Sequence, residues 1–181
     1  ARNARGWCHY NAGELLKARD AFLSMEDLFA GGLAWSLGQR LPDGISGLGF
    51  VVAGLTRRPN SLSALDNMVA AAEIADYLHG YRPENGNMAN DAGFVNRDAA
   101  VLLMRAAQES EEENQELNAD ALKVMNRSWA AYKQAARLLP EDVRVVNDTG
   151  LVMTYYLRTD PEEAERLLLS AIKHGAVQVP K

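Results

Sequence analysis

Three histidines, one cysteine and a handful of serines are the side chains from which this sequence could build a reaction centre, and their spacing argues against one. His9, His79 and His174 lie far apart. None has a carboxylate or a second histidine at metal-ligand spacing. His79 and His174 fall near expected helix C-termini, where an imidazolium is favoured electrostatically. Cys8 follows Trp7 in a helical stretch, where a buried, inert thiol is expected. A single cysteine also excludes a disulfide framework and a multi-cysteine zinc site. Gly44-Ile45-Ser46-Gly47-Leu48 has leucine where a nucleophile elbow needs its second glycine. Gly47-Leu48-Gly49 lacks the third glycine and the preceding strand of a dinucleotide loop. Asn126-Arg127-Ser128 and Asn147-Asp148-Thr149 match the glycosylation sequon but fall within expected helices. The expectation is a chain that is not an enzyme and holds no metal or cofactor.

The elements around these residues are those of a helical protein. The chain has 181 residues, 48% hydrophobic and 24% charged, with a net charge of −5. That suits one ordinary globular domain or a short repeat array and is too apolar for disorder. No apolar run approaches the ~18 residues of a membrane span. A pI near 5.2 speaks against a nucleic-acid partner. Ala1 in place of methionine, followed at once by helical sequence, reads as a fragment or a processed chain, which leaves localisation nearly unconstrained, the cytoplasm slightly favoured.

Apolar residues recur at three and four, in stretches rich in helix formers, and no period-two strand is visible. The expected helices are Ala1–Ala12, Gly13–Leu28, Leu33–Leu41, Gly44–Leu55, Ser63–His79, Asn87–Glu109, Glu111–Leu139, Val143–Leu157 and Pro161–His174. Asp160-Pro161-Glu162-Glu163 supplies an acidic N-cap, a proline at the first helical position and a glutamate at the third. Ser110-Glu111-Glu112-Glu113 has capping-box spacing. Seven of the fourteen glycines lie between Gly31 and Gly54, which reads as close helix packing through glycines or as irregular loop.

The most informative feature is a repeat. Asn90-Asp91-Ala92-Gly93 recurs as Asn147-Asp148-Thr149-Gly150, and ten residues before each glycine stands a proline, Pro83 or Pro140. Here the chain resembles the tetratricopeptide-repeat (TPR) family, in which antiparallel helix pairs cross at small residues. Gly6, Ala18, Phe22 and Met25 follow that spacing, with Met25 where a small residue is usual; Ser128, Tyr132, Ala135 and Pro140 follow it after Gly93, and Gly150, Ala164, Leu168 and Ala171 follow it with two extra residues at the turn. Ala71, Ala75, Leu78 and Pro83 fit the second helix of a degenerate pair. The resemblance implies an all-α fold, an irregular right-handed α-solenoid of helix pairs. One pair is an elongated hairpin, because Ser128 follows Gly93 at 35 residues where the family has 12. The expected division is a repeat at 1–30, a degenerate glycine-rich repeat at 31–85, the elongated repeat at 86–141 and a terminal repeat at 142–176. The hairpin tip, Glu109–Asp120, is acidic. That reads as a solvated turn or as a spur for a basic partner.

The resemblance also implies a function, that of a scaffold binding a protein or an extended peptide along the groove lined by each first helix. The inner-face positions would be Asn3, Trp7 and Tyr10, then Asn90, Phe94 and Arg97, then Asn147, Leu151 and Thr154. An asparagine leads each set, and an amide can pair with both N–H and C=O of a peptide backbone. Equally, these asparagines could pack between repeats or bond locally. The lysines of the family's carboxylate clamp are missing, which speaks against capture of a free C-terminus. Two other readings stand beside the scaffold: a self-association module working through the glycine-rich face and array ends, and an accessory or regulatory helical domain of a larger enzyme.

Overall fold

A computed structural model describes residues 2–28, 42–57, 64–110 and 115–178. It is all-α, with no strand among the described residues. In chain order the helices are α1 (Arg2–Asn11), α2 (Leu15–Leu28), α3 (Pro42–Leu55), α4 (Leu65–Tyr81), α5 (Gly86–Glu109), α6 (Gln115–Leu138), α7 (Val143–Leu151), a π-helical segment (Val152–Leu157) and α8 (Pro161–Gln178). Each packs chiefly on elements adjacent or next but one in the chain, the pattern of a stacked array. The longest contact is the hairpin of α5 on α6, two helices of 24 residues each, about 36 Å long at 1.5 Å per residue.

Side-chain caps set the helix starts. Asn85 Oδ1 accepts from Asn87 N–H and Met88 N–H at 3.1 and 3.2 Å. Asp142 Oδ1 accepts from Arg144 N–H and Val145 N–H at 3.0 and 3.3 Å. These two caps extend the repeated pattern of Pro83/Pro140 and Gly93/Gly150 at the same offset. Asp160 caps α8 as the sequence predicts, its Oδ1 accepting from Glu163 N–H at 3.1 Å.

The small residues lie where helices cross. A Cβ on Gly6 would meet the Phe22 ring, and one on Gly93 would lie 2.7 Å from the Tyr132 ring. Both distances are below any real van der Waals contact, so only glycine lets these helices approach so closely. At Gly150 the opposing group is the Leu168 side chain, at 2.9 Å. Ser128 is fully buried and its hydroxyl donates to the Gly93 carbonyl at 2.7 Å, which satisfies that buried hydroxyl. Around it a continuous core joins Ala18 and Phe22 to Leu48, Val51, Met68, Ile74, Leu102, Met125 and Tyr132.

Several expectations need correction. The long helix expected over Val143–Leu157 changes to π geometry at Val152, and Arg158 closes it in the left-handed region at φ 48°, donating its N–H to the Met153 carbonyl. A π turn is wider than an α turn, and the regular apolar spacing of the sequence gives no sign of it. Ser110 is the C-cap of α5, and the rest of the expected capping box lies outside the described residues. α8 runs on to Gln178, so His174 lies inside the helix. Cys8 is exposed, not buried. Trp7 turns inward against Phe22, and the next residue sits about 100° further round the helix, away from that contact. The expected helix Leu33–Leu41 and the acidic residues 111–113 lie outside the described residues. The glycine-rich stretch does form helix from Pro42, a position at which proline has no intrahelical N–H to lose. There Gly54 lies against Leu15 of α2.

Candidate functional site

The residues that the repeat pattern singles out stand on α1, on α5, and on α7 with the π segment that continues it, where Thr154 lies. α1 packs on α2 and α3, α5 on α4 and α6, and α7 on α6 and α8. The structure therefore sets the three groups in series along the array and does not converge them on one point.

On α1, Trp7 is half-buried, edge-on to Tyr10 at 5.7 Å and to Phe22 at 5.3 Å. Trp7 and Tyr10 thus support the first crossing. Asn3 belongs to the first turn of α1.

On α5, Phe94 is 40% exposed, a large ring left open beside a well-packed helix. The Arg97 guanidinium stacks over it at 4.7 Å. Arg97 also pairs with Asp98 at 2.9 Å and donates to the Tyr132 hydroxyl at 3.4 Å. Burial pushes the Tyr132 phenol up, so it stays neutral and can serve as acceptor. Asn90 is only 4% exposed, and its Oδ1 has no hydrogen-bond partner.

On α7, Asn147 is half-buried beside Asp148. Leu151 is half-buried, and Thr154 spends its hydroxyl on the Gly150 carbonyl at 2.9 Å. Asp91 and Asp148, repeat equivalents, both titrate above the usual aspartate range. Desolvation is the main cause in each, opposed by Arg144 at Asp91 and by Arg97 and Asn147 at Asp148.

A cleft of about 260 Å³ opens between α3, α4 and α5, with Val52, Thr56, Leu78, Asp91, Phe94 and Val95 on its walls. It is largely apolar with one carboxylate at its edge, the make-up of a site for a side chain and its backbone. A larger cleft, about 610 Å³, separates α6 from α8, where Trp129, Lys133, Arg137, Glu163 and Arg166 meet. The inner-face positions do not reach it.

Sequence reasoning missed two polar clusters. Asn96 is fully buried and donates from Nδ2 to Asp76 Oδ1 at 2.6 Å, while Arg127 pairs with the other carboxylate oxygen at 3.0 Å. This links α4, α5 and α6. Desolvation raises the Asp76 carboxyl, while Asn96 and Arg127 pull it back. The signal was an aspartate set among Ala71, Ala72, Ala75 and Leu78, a charge inside an apolar run. The second cluster closes the α1–α2 turn, where His9 Nδ1 meets Glu14 Oε2 at 2.6 Å. Among the described residues no three His, Cys, Asp or Glu side chains gather as metal ligands, and no helix is long and apolar enough to cross a membrane.

No family model and no curated protein sequence matches the chain. Among solved structures it is similar to the MamA RS-1 ArsTM double mutant, at 16% identity and TM-score 0.31 over 86% of this chain and 97% of that one. It is likewise similar to MamA in two further crystal structures. One has 14% identity and TM-score 0.30, over 96% of this chain and 95% of that one. The other has 13% identity and TM-score 0.32, over 99% and 95%. Superpositions this loose leave the fold to rest on this chain's own helices.

Proposed function

We propose that this chain is a TPR-like scaffold, not an enzyme, whose first helices bind a protein or an extended peptide without cofactor or nucleic acid. The observation that carries the reading is Phe94. A phenylalanine left 40% exposed at the edge of an apolar cleft, with the Arg97 guanidinium over its ring, is a surface prepared for another apolar side chain. Asp91 on the same rim offers an acceptor for a peptide N–H, and Asn147 on α7 offers an amide further along. The buried Asn90 shifts the weight of the site from an amide ladder towards Phe94 and Asp91.

The test is selection of random-sequence peptides on the full chain, followed by affinity measurements with variants. Phe94→Ala should weaken a selected peptide by about tenfold or more, as expected of an aromatic anchor. Asn147→Ala should cost about 1–2 kcal/mol if its amide meets the peptide backbone. Selected peptides that bind Phe94→Ala as well as the native chain would remove this groove from the reading.

A further inference from the structure

The cleft between α3, α4 and α5 has apolar walls in Val52, Leu78, Phe94 and Val95, and Asp91 is the one charged side chain on it among the described residues. Thr56, the other polar wall residue, spends its hydroxyl on the Val52 carbonyl at 3.0 Å. The cleft, about 260 Å³, is smaller than the roughly 300–1,000 Å³ of most small-molecule pockets. It has room for one long side chain. The Asp91 carboxylate at its rim has no partner among the described residues. No side chain there donates a hydrogen bond to it. Arg144, the one cation that acts on it, makes its ion pair with Asp142 instead, at 3.6 Å. Arg97, on the Phe94 side of the cleft, is paired with Asp98 at 2.9 Å. Asp91 is exposed, so water solvates it in the free chain, yet the surrounding walls already desolvate the carboxyl enough to push it above its ordinary value.

That carboxylate decides between occupants. A purely apolar side chain would fill the cleft but strip water from Asp91 and return nothing. A peptide amide would return only a neutral hydrogen bond. An acidic side chain would set like charges together. A lysine or arginine matches both parts of the cleft. Its methylene stem can lie along Val52, Leu78, Phe94 and Val95 while its cationic head makes a charge-assisted hydrogen bond to Asp91. The net charge of −5 favours the approach of such a segment. On the groove reading proposed above, we infer that the side chain taken by this cleft is a lysine or arginine, and that the partner is therefore a basic segment.

The probe is a random-sequence peptide library selected on the whole chain. Selected peptides should share a lysine or arginine at one position. In a synthetic copy of the tightest peptide, norleucine at that position keeps an aliphatic stem and removes the charge. It should weaken binding by about tenfold. Asp91→Asn should cost the same tenfold with the circular dichroism unchanged, since asparagine keeps the shape and an acceptor but not the charge. The norleucine peptide should bind the native chain and Asp91→Asn equally, because both changes break one pair. Peptides that need Phe94 but bind Asp91→Asn undiminished leave the groove in place and overturn the cationic occupant. Selected peptides with no shared cation do the same, as do losses that simply add when the two changes are combined. A selection that returns no binder overturns the groove reading and this inference together.

Discussion

The α5–α6 hairpin and the α7–α8 pair begin from the same sequence pattern and end in different situations. Each opens after a proline with an asparagine or aspartate cap, carries the Asn-Asp-X-Gly tetrapeptide and crosses its partner at that glycine. In the hairpin, Gly93 lies under a rigid, fully buried tyrosine ring, Ser128 bonds its carbonyl, and Asp76, Asn96 and Arg127 tie the pair to α4. In the terminal pair, Gly150 meets a flexible leucine, the first helix relaxes into π geometry, and one face of α8 is open. The difference shows that a repeat motif specifies a crossing, whereas the neighbours on either side decide how tightly it is enforced.

That contrast can be broken most sharply at the two glycines. Gly93→Leu should destabilise the chain by about 3 kcal/mol, because the fully buried Tyr132 ring fills the space a side chain would need. Gly150→Leu should cost roughly 1–2 kcal/mol, since Leu168 can turn aside at the partly open end. Denaturant melts of both variants check the ordering, and equal losses would show that the two crossings are equally rigid. A smaller effect is expected from shortening the hairpin by joining Ala106 to Val124 through a short turn. The deleted part buries Ala107 and Ala121 mainly within the hairpin, so the loss should be about 1 kcal/mol with cooperative unfolding kept. Loss of a single transition in calorimetry would mean that the hairpin end braces other helices.

The smallest effect concerns the inner-face carboxylates. The Asp91 carboxyl is raised in the folded chain from an ordinary value of 3.8, chiefly by desolvation. Its ionised form therefore opposes folding at neutral pH. The stability it contributes is complete below the unfolded value and lost as pH rises through the folded one. Asp91→Asn should stabilise the chain at neutral pH by a few tenths of a kcal/mol, a modest figure because the residue is exposed. The gain should vanish in melts at pH values below the unfolded carboxylate range. A gain that persists in acid would trace to packing or helix propensity instead.

Helix positions were legible because they rest on short-range chemistry: period-3.6 apolar spacing, asparagine and aspartate caps, and prolines at breaks. The helices expected at Asn87–Glu109 and Pro161–His174 begin within one residue of α5 and α8 for that reason. The crossing glycines were legible too, since Gly93 with Ser128 and Tyr132 kept family spacing across a long insertion. The exposure of Cys8 was not, because it depends on which side of α1 Trp7 takes against Phe22. Nor was the burial of Asn90, which its place in the Asn-Asp-X-Gly repeat does not reveal. The π turn at Val152 was hidden as well, since the regular apolar spacing of the sequence gives no sign of a wider turn.

By itself, then, the sequence determined that this chain is built of helices, where they start, and that glycines at fixed spacing let successive helices cross. Those properties follow from backbone hydrogen bonding and side-chain size, which act within a few residues. Only the tertiary structure decided which side chains those crossings cover. It left Phe94 open beside Asp91, gave Asn96 the Asp76 carboxylate, and exposed Leu169 and Ile172 on α8. Burial is a property of two surfaces brought together, and a local pattern carries only one of them.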